Sequence, residues 1–486
     1  MSQFADINEY KTDQGNYQLL PFRFSELDDQ HHVITNLSGE FHVIKKDDLK
    51  NFANHLLASD TNLYKSLRSK HFLIDSNTSI AKELLPIKLR TRYRRLADFT
   101  SLHLFVVTLR CEHSCPYCQV SRQSDDRLSF DMSKETAKKS IDLMMQSPST
   151  HLKVEFQGGE SLLNFEIVQF IVETTEEENK KHNKDVQFVI ATNLALITDE
   201  IIDYCNKKSI YISTSLDGPK SLHNTNRPRT GKNSYEKTIE GIEKVRNKLG
   251  TDSVSALMTT TFNSLLQVES IIDEYVANKF DGIFLRPLSP YGFAIKTKSY
   301  QSYDVNQWLR FYKKGLDYII QLNKDGLDFR EYYAVTVLTK MLTAEDPGFV
   351  DLMSPTGAGI AAVVYNYDGD VYASDESRML AEMGNDHFKI GNVHKNSYKE
   401  IFGNETLLTA IEDSFAYSCP QCTDCAYEPY CGSDPVFHFA KSSDYIGYKP
   451  TSEHCNRNME IFKFLIKKME TDTFAKQLFT RWANQK

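Results

Sequence analysis

Short runs rich in β-branched and aromatic residues alternate with longer amphipathic runs from residue 100 to about residue 325. The short runs predict strands at 102–109, 152–156, 186–192, 209–215, 254–261 and 281–286. The segments between them have the apolar spacing of helices, for example at 133–145 and 235–248. Such alternation is typical of parallel strands joined by crossover helices. The pattern therefore predicts an α/β domain whose functional residues gather at the C-terminal ends of its strands.

The first 75 residues follow a different pattern. The pattern predicts a strand at 32–35, a tight Asn36-Leu37-Ser38-Gly39 turn and a second strand at 40–44. Helices near 47–57 and 62–69 are predicted to follow. This order predicts a small separate domain. The order resembles that of small peptide-recognition domains, and a plain capping domain is the alternative.

The overall charge argues against a dedicated nucleic-acid binder, because the net charge is −8 and the pI is near 6.0. One basic run stands out, at Lys88, Arg90, Arg92, Arg94 and Arg95. It suits RNA or an acidic leader peptide, but we interpret it as a solvated helix that links two domains. A chain of 486 residues is long enough for two or three domains.

No run is both long and apolar enough to span a bilayer, since the best one, 102–109, is interrupted by His103 and Thr108. The first nine residues show neither the basic nor the apolar region of an export signal. We therefore expect a cytoplasmic protein whose thiols stay reduced. Nine cysteines in that compartment indicate metal sites rather than disulfides.

Three cysteines, Cys111, Cys115 and Cys118, directly follow the first predicted strand. A cubane iron–sulfur cluster normally takes four thiolates, so a set of three leaves one iron free to bind a substrate. A zinc site is the alternative, with His113 inside the loop as a further ligand. The downstream sequence favours the iron–sulfur interpretation.

The spacing Cys-x3-Cys-x2-Cys, with Tyr117 before the last cysteine, resembles the radical S-adenosylmethionine (radical SAM) family. In that family the open iron chelates S-adenosylmethionine, and the reduced [4Fe–4S] cluster cleaves it to a 5′-deoxyadenosyl radical. The resemblance implies a partial (β/α)6 TIM-type barrel, with a [4Fe–4S] cluster and S-adenosylmethionine as cofactors.

The ends of the second and third predicted strands carry further motifs. Gln157-Gly158-Gly159-Glu160 resembles the Gly-Gly-Glu motif that grips the amino group of S-adenosylmethionine, although Ser161 stands where the family often has proline. Paired glycines let the backbone approach a ligand, and a glutamate accepts hydrogen bonds from an ammonium group. Thr192 and Asn193 suit a ribose or the methionine moiety, or else form an Asn-capped turn.

The block after the fourth predicted strand is similar to peptide-modifying radical SAM enzymes such as the anaerobic sulfatase-maturing enzymes. Ser215 and Arg227 match the residues that contact S-adenosylmethionine there, and a guanidinium suits a carboxylate. Asp217 and Gly218 are expected to shape the turn. The resemblance thus implies cofactor binding by Tyr117, Gln157, Gly158, Gly159, Glu160, Thr192, Asn193, Ser215 and Arg227.

A second cysteine group near the end of the chain resembles the SPASM extension of radical SAM peptide maturases. Its members reproduce the four ligands of the outer auxiliary [4Fe–4S] cluster of that extension: Cys422, Cys425, Cys431 and Cys455. Cys419 forms a further Cys-x2-Cys pair with Cys422 and is an alternative ligand. A structural zinc site on four thiolates is the other alternative.

The ligands of the inner auxiliary cluster are missing. Ser374 and Pro435 stand at two of the expected cysteines, and the segment 355–359 supplies none. We therefore expect two clusters rather than three. Asp375 follows Ser374, and sulfatase-maturing enzymes have an aspartate thought to act as a base at this position. A carboxylate there can take the proton lost as a cross-link or double bond forms, or it only caps the turn.

One subfamily resembles this chain over nearly its whole length: the B-type radical SAM maturase of His-Xaa-Ser peptide systems. The segments that carry this resemblance are 20–24, 35–41 and 425–435. The implied order of domains is a winged-helix-like peptide-recognition domain (1–78), a linker helix (79–99), the radical SAM barrel (100–330), a SPASM-like domain (331–460) and a C-terminal helix (461–486).

The resemblance implies modification of a ribosomally made precursor peptide, through hydrogen abstraction and a cyclophane-type cross-link. It also implies a second radical SAM maturase and an electron donor such as flavodoxin or ferredoxin as partners, without nucleic acid or membrane. One alternative is a radical SAM enzyme that modifies RNA or a small metabolite, yet no RNA-binding module is visible. The other is a non-catalytic zinc or iron–sulfur scaffold, which has no use for the Gly-Gly-Glu motif with Ser215 and Arg227.

Overall fold

The structure, a computed structural model, describes residues 16–77 and 79–485. The strands are β1 Tyr17–Leu19, β2 Phe22–Glu26, β3 His31–Asn36, β4 Phe41–Lys45, β5 Leu73–Asp75, β6 Leu102–Thr108, β7 His151–Gly158, β8 Asp185–Ala191, β9 Tyr211–Ser215, β10 Val254–Leu257, β11 Gly282–Ile283, β12 Arg330–Glu331, β13 Ala362–Tyr365, β14 Asp370–Tyr372 and β15 Lys389–Asn392.

The helices are α1 Lys46–Ala53, α2 Asn62–Ser69, α3 Ile80–Arg92, α4 Arg127–Phe130, α5 Lys134–Met144, α6 Phe165–His182, α7 Asp199–Lys208, α8 Lys220–Asn226, α9 Ser234–Leu249, α10 Val268–Ala277, α11 Phe293–Lys296, α12 Val305–Lys324, α13 Tyr332–Leu342, α14 Asp375–Ala381, α15 Tyr398–Phe402, α16 Glu405–Asp413, α17 Pro435–Ser442, α18 Glu453–Thr471 and α19 Thr473–Asn484. The C-terminal helix expected over 461–486 is therefore two helices, and the first of them begins earlier.

An eight-stranded sheet in the order β10-β9-β8-β7-β6-β13-β14-β15 organises the middle of the chain. β6 to β10 are the first five predicted strands, and each is parallel to its neighbour. The predicted α/β fold with a parallel sheet is confirmed. β13 adds in parallel to the free edge of β6, and β14 and β15 follow antiparallel. Strands from the part of the chain that was predicted as a separate domain (331–460) thus extend the parallel sheet through backbone hydrogen bonds.

The sixth predicted strand departs from the expectation. β11 covers only Gly282–Ile283 and pairs with β12 instead of β10. Pro287 follows closely and has no N–H to give to a ladder. The segment still meets the end of β10, because Thr260 N donates to Arg286 O at 2.9 Å. This contact brings Arg286 to the same end of the sheet as the motifs on β6 to β9.

The crossover helices form where helical periodicity places apolar residues on one face. α5 begins after Ser133, whose side chain accepts a hydrogen bond from Thr136 N, and it buries Ala137, Ile141 and Met144 in the main core. The strands supply the other side of that core, with Val107, Phe156 and Ile190 among the buried residues.

The N-terminal part has its own antiparallel sheet, β2-β3-β4, and a separate core. The predicted hairpin is present as β3 and β4, and Ile34, Ile44, Phe52, Leu67 and Phe72 form the core beneath it. Residues 1–15 and Thr78 of the expected domain, including the segment inspected for an export signal, lie outside the described residues.

The basic run at 88–95 begins at the end of the helix α3 and is only partly solvated: Arg90 and Arg94 are exposed, but Arg92 is not. Arg92 is only 8% exposed and donates to Ser38 O and Lys340 O, at 2.9 and 2.6 Å. Lys88 binds Glu40, and Arg94 binds Glu345. The charges therefore attach this segment to neighbouring parts of the chain. Periodicity could not show this, because the acceptors are distant in sequence.

Within the described ranges, none of the helices combines the length and the apolarity needed to cross a membrane.

Candidate active site

The C-terminal ends of β6 to β10 meet at one cleft of about 1150 Å³, part of which is open to solvent. Most of the predicted site residues line it: Cys111, Cys115, Tyr117, Cys118, Gln157, Gly158, Gly159, Thr192, Asn193, Ser215, Arg227 and Asp375. Residues from six separate segments thus converge on one space, as the rule for parallel strand ends predicts.

The first cysteine loop is tied to other loops at the rim of this cleft. Ser114 N donates to Pro228 O at 2.7 Å, and Phe293 N donates to Cys118 O at 2.8 Å. Burial raises the pKa of the Cys115 thiol to about 12, and burial with the charge of Glu112 also raises the pKa of Cys111. These two thiols are therefore protonated near neutral pH, and metal binding by them has to release protons.

His113 is an unsuitable partner for these thiols in a zinc site, because both of its ring nitrogens are engaged. Nδ1 lies 3.0 Å from Glu112 Oε1 and 2.9 Å from Asn193 Nδ2, and Nε2 lies 2.7 Å from Ser234 Oγ. Cys111, Glu112 and His113 do bring their ligand atoms within 4.8 Å of one another, but no second cysteine joins that group among the described residues. The histidine positions the loop.

The paired glycines are required by the strand beneath them. Gly158 has φ +145°, and a Cβ atom there would lie 1.9 Å from Thr108 O. A Cβ atom at Gly159 would lie 2.2 Å from Arg110 O. Only residues without a side chain let the end of β7 approach the end of β6 this closely. The cysteine loop and the Gly-Gly-Glu turn are therefore held in direct contact.

Glu160 lies behind the cleft wall and is 1% exposed. Its carboxylate accepts hydrogen bonds from Thr192 Oγ1 at 2.6 Å, Asn193 N at 2.8 Å and Leu162 N at 3.0 Å. Burial and the charge of Glu112 raise the pKa of Glu160 to about 7. A cationic ligand beside it would favour the ionised form, so contact with an ammonium group stays a prediction consistent with this environment.

Asp217 has a role that the sequence did not indicate. Its carboxylate is fully buried, accepts from Tyr117 Oη at 2.6 Å, and pairs with Arg227 Nη2 at 3.1 Å. The Arg227 guanidinium also lies over the Tyr117 ring, 5.5 Å from its centroid. One carboxylate thus positions two predicted cofactor-binding residues, where a turn-shaping role was expected.

Asp375 is the first residue of α14 and faces the cleft with 19% of its side chain exposed. Ser374, rather than Asp375, caps the helix by accepting from Ser377 N at 3.2 Å. The carboxylate of Asp375 accepts from Arg378 Nε at 3.3 Å. It is therefore not needed as the cap, and its role as a base stays a prediction.

Two further arginines of the cleft were missed. Arg122 lies beyond the cysteine loop, and its Nε has no hydrogen-bond partner among the described residues. Arg286 follows the sixth predicted strand, and Glu376 at 4.0 Å is its carboxylate neighbour. The strand-end rule applied to that strand would have found Arg286. No local signal marks Arg122.

The second cysteine group lies away from the cleft lining, on the segment before α17 and in the first turn of α18. Burial raises the pKa of Cys425 to about 11 and that of Cys431 to about 12, and the charge of Cys455 adds to both. These three thiols are therefore neighbours.

The spacing of this group bears on the metal. A single zinc ion holds its thiolates about 3.8 Å apart, given Zn–S bonds of about 2.3 Å in a tetrahedron. Among the described residues, no three of these thiols lie within 4.8 Å of one another. These thiols therefore do not have the spacing of a single zinc site in this structure, and the four-iron cluster stays the prediction.

Cys419 is buried beside the group. Its Sγ donates to Asp413 O at 3.1 Å, and its interaction with Cys422 lowers the pKa of Cys419 while raising that of Cys422. Cys419 therefore lies beside a predicted ligand, and its own ligation stays open as an alternative.

A second cavity adjoins the cleft at Arg286, close to the positions where inner ligands were expected and are missing. Its polar lining is formed by Arg286, Tyr291, Asp351, Glu376, Asp434 and Arg457, and its walls are aromatic. Burial and the charge of Asp351 raise the pKa of Glu376 to about 8 and that of Asp434 to about 7. Carboxyl groups thus occupy the region where the family places cluster ligands.

These two carboxyl groups should make stability fall as pH rises from about 5 to 8. In this window the unfolded chain has already lost the two protons, whereas the folded chain still holds them, so rising pH favours unfolding. Replacing Glu376→Gln and Asp434→Asn together should flatten the decline, as measured by Tm at several pH values. The control carries Glu135→Gln and Asp142→Asn, two substitutions at exposed carboxyl groups. If Tm falls equally steeply with pH in the unmodified chain, the control and the Glu376/Asp434 variant, the assignment is contradicted.

A three-cysteine loop and a Gly-Gly-Glu turn at adjacent ends of parallel strands define the site of a radical SAM domain. Residues 105–273 match the family model "Radical SAM superfamily". The chain therefore carries a radical SAM domain, and its cysteines fit the [4Fe–4S] cluster that such domains use with S-adenosylmethionine.

Relatives extend the match beyond this domain. The cysteine-type anaerobic sulfatase-maturating enzyme of Clostridium perfringens is 24% identical over 334 residues, which cover 66% of this chain and 84% of that enzyme. An uncharacterized protein of Methanocaldococcus jannaschii is 32% identical over 142 residues, or 29% of this chain, and the match spans only about half (47%) of that relative.

Two solved structures share the fold. The sulfatase-maturating enzyme anSMEcpe with bound AdoMet superposes with a TM-score of 0.62 and 19% identity, covering 78% of this chain and 100% of the other. Streptococcus suis SuiB bound to its precursor peptide SuiA gives a TM-score of 0.53 and 16% identity, covering 90% and 99%. At these identities the likeness is one of fold.

Proposed function

We propose that this chain is a radical SAM maturase that modifies a ribosomally made precursor peptide. The observation that carries the proposal is the convergence of Cys111, Cys115 and Cys118 with the Gly-Gly-Glu turn, Ser215 and Arg227 on one cleft. When bound, the [4Fe–4S] cluster supplies the electron that cleaves S-adenosylmethionine. The chain itself holds the cofactor and the peptide in one place and removes a proton.

The cofactor-binding groups divide by charge. Arg227, fixed by Asp217, presents a guanidinium suited to the carboxylate of S-adenosylmethionine. Glu160, with the neighbouring Thr192 and Asn193, supplies oxygen acceptors near the place for the amino group. Groups of opposite charge that follow two different strands can orient an amino acid moiety in one direction.

We assign one auxiliary [4Fe–4S] cluster to Cys422, Cys425, Cys431 and Cys455. Anaerobically purified and fully reconstituted protein should contain about eight irons per chain, because two cubanes are expected. Cys422→Ala should lower this number by about four, as measured by iron and sulfide analysis. Fewer than about six irons in the unmodified chain, or stoichiometric zinc, would contradict the assignment.

Asp375 is the proposed proton acceptor. Its carboxylate faces the cleft, where a substrate carbon loses a proton as a cross-link or double bond forms. Asp375→Asn should leave formation of 5′-deoxyadenosine within about twofold and lower peptide product by about a hundredfold or more. Both are measured by mass spectrometry. Asp368→Asn, away from the cleft lining, is the control, and unchanged product in the Asp375 variant would remove the base role.

The likeness to SuiB, a structure bound to precursor peptide, and to sulfatase-maturating enzymes supports a peptide as substrate. We extend the proposal to a cyclophane-type cross-link, an N-terminal domain that recognises the precursor, a second radical SAM maturase as partner, and flavodoxin or ferredoxin as electron donor. Co-expression with small peptides encoded beside the gene tests this. A peptide mass lower by two hydrogens supports a cross-link, whereas modified RNA or metabolites without any peptide change would overturn it.

A further inference from the structure

The N-terminal domain is attached to the second cysteine group by buried polar contacts. Eight residues separate Cys422 from Cys431. Five of them bond to β2, to the turn after β3 or to α3: Thr423, Ala426, Glu428, Pro429 and Tyr430. We call residues 422–431 the auxiliary loop.

Two side chains of β2 reach the auxiliary loop. Arg23 Nε donates to Thr423 O at 2.6 Å, and Arg23 Nη1 pairs with Glu428 Oε2 at 3.1 Å. Ser25 Oγ accepts from Ala426 N at 3.1 Å. One face of an edge strand therefore binds both ends of the segment that carries Cys425.

The turn after β3 and the end of α3 complete this attachment. Tyr430 Oη donates to Gly39 O at 2.7 Å, and Arg92 Nε donates to Pro429 O at 3.2 Å. Arg92 Nη1 also donates to Ser38 O at 2.9 Å. A Cβ at Gly39 would lie 2.5 Å from Arg92 Nη1, so the close approach depends on glycine with φ +86°.

The auxiliary loop has little regular structure to fix its own shape. Beyond a 3-10 turn at Glu428–Tyr430, it relies on local turns such as Cys425 N to Cys422 O at 3.2 Å and Glu428 N to Cys425 O at 3.1 Å. Tyr427 and Tyr430 anchor the loop in the main core, and the contacts on its two sides decide the rest of its conformation. The thiols are the proposed metal ligands on one side, and the N-terminal domain binds the other side.

The ion pair in this contact is buried, with 9% of the Arg23 side chain and 2% of the Glu428 side chain exposed. Burial raises the pKa of Glu428, and the positive charge of Arg23 opposes the rise. Removing one member of a buried pair leaves the other without compensation, which is more costly than losing an exposed pair. The position of the loop is thus conditional on Arg23.

We propose that docking of the N-terminal domain and metal binding by the auxiliary loop are thermodynamically linked, with Arg23 as the positioning residue. Such linkage is reciprocal, so a loaded loop stabilises docking as much as docking stabilises the loaded loop. The inference rests on the proposed auxiliary cluster. Through this linkage, a peptide that binds to the N-terminal domain would change the stability of the auxiliary cluster.

Iron content tests one direction of the linkage. The test starts from a chain whose first cysteine group is removed by Cys111→Ala, Cys115→Ala and Cys118→Ala. The iron content of this chain reports on the second cysteine group alone, and about four irons per chain are expected. Adding Arg23→Met should lower this to less than about half, while Arg23→Lys, which keeps the charge, should recover part of it. Arg68→Met is the matched control, because Arg68 pairs with Asp75 inside the N-terminal domain and should leave the iron unchanged.

Hydrogen exchange tests the other direction on the unmodified chain. Amides of β2 should exchange at least about threefold more slowly in reconstituted protein than after iron removal. Amides of α7, which is distant from the loop in sequence and carries no predicted ligand, are the internal control. This measurement needs no variant, so misfolding of Arg23→Met cannot leave the proposal undecided.

Two results overturn the linkage. One is that β2 amides exchange equally fast with and without iron, and the other is that adding Arg23→Met leaves the iron content unchanged. A reconstituted chain that forms 5′-deoxyadenosine with only about four irons has no auxiliary cluster. That result also overturns the linkage, but leaves the radical SAM activity standing. A third outcome would refute the proposed function alone: the reconstituted chain has the expected iron and slowed β2 exchange, but it forms no 5′-deoxyadenosine.

Discussion

Replacing Cys115 by alanine is expected to abolish cleavage of S-adenosylmethionine, lowering formation of 5′-deoxyadenosine by about three orders of magnitude or more. The loop offers only three thiols, and His113 cannot replace one because both of its nitrogens are engaged. A cubane left with two protein ligands has no fixed place opposite Arg227 and Glu160. The product is measured by chromatography after reduction with dithionite, without any peptide.

Cys205→Ala is the matched control for this variant. Cys205 is a buried thiol that lies on α7 and belongs to neither cysteine group. It should retain both the iron and the cleavage activity. The Cys115 variant should still contain about four irons on the second group. Substantial 5′-deoxyadenosine from the Cys115 variant would refute the assignment of the first group.

The sequence predicted best what depends on local pattern and on strand ends. Periodicity placed α5 and α9 within one residue at each end, because both helices bury an apolar face that repeats along the chain. The strand-end rule brought residues as distant as Cys111 and Arg227 to one cleft, since parallel strands share one C-terminal edge.

The sequence failed where a residue acts through a partner that is distant along the chain. Arg92 belongs to a basic run that looks solvated, yet its acceptors Ser38, Pro429 and Lys340 come from three other segments. β11 is short for a similar reason, because it pairs with β12 rather than β10. Charge and periodicity are local quantities, so they do not record such contacts.

The contacts of Asp217 give the second large expectation: Asp217→Asn should destabilise the protein by about 3 kcal/mol. The substitution keeps the shape but removes the negative charge beside a buried guanidinium, that of Arg227. It also weakens the bond that fixes Tyr117 Oη. Since both partners line the cleft, affinity for S-adenosylmethionine should fall as well. Tm and equilibrium dialysis of the cofactor measure the two effects.

A double-mutant cycle separates the charge pair from general damage. Arg227→Met alone leaves Asp217 buried and uncompensated, so the double variant should be more stable than the sum of the two single effects by at least about 1 kcal/mol. Asp185→Asn is the control, because Asp185 forms an exposed pair with His151 and should change stability by less than about 0.5 kcal/mol. If Asp217→Asn is no more harmful than that control, Asp217 only shapes its turn, and Arg227 is held in the cleft by other contacts.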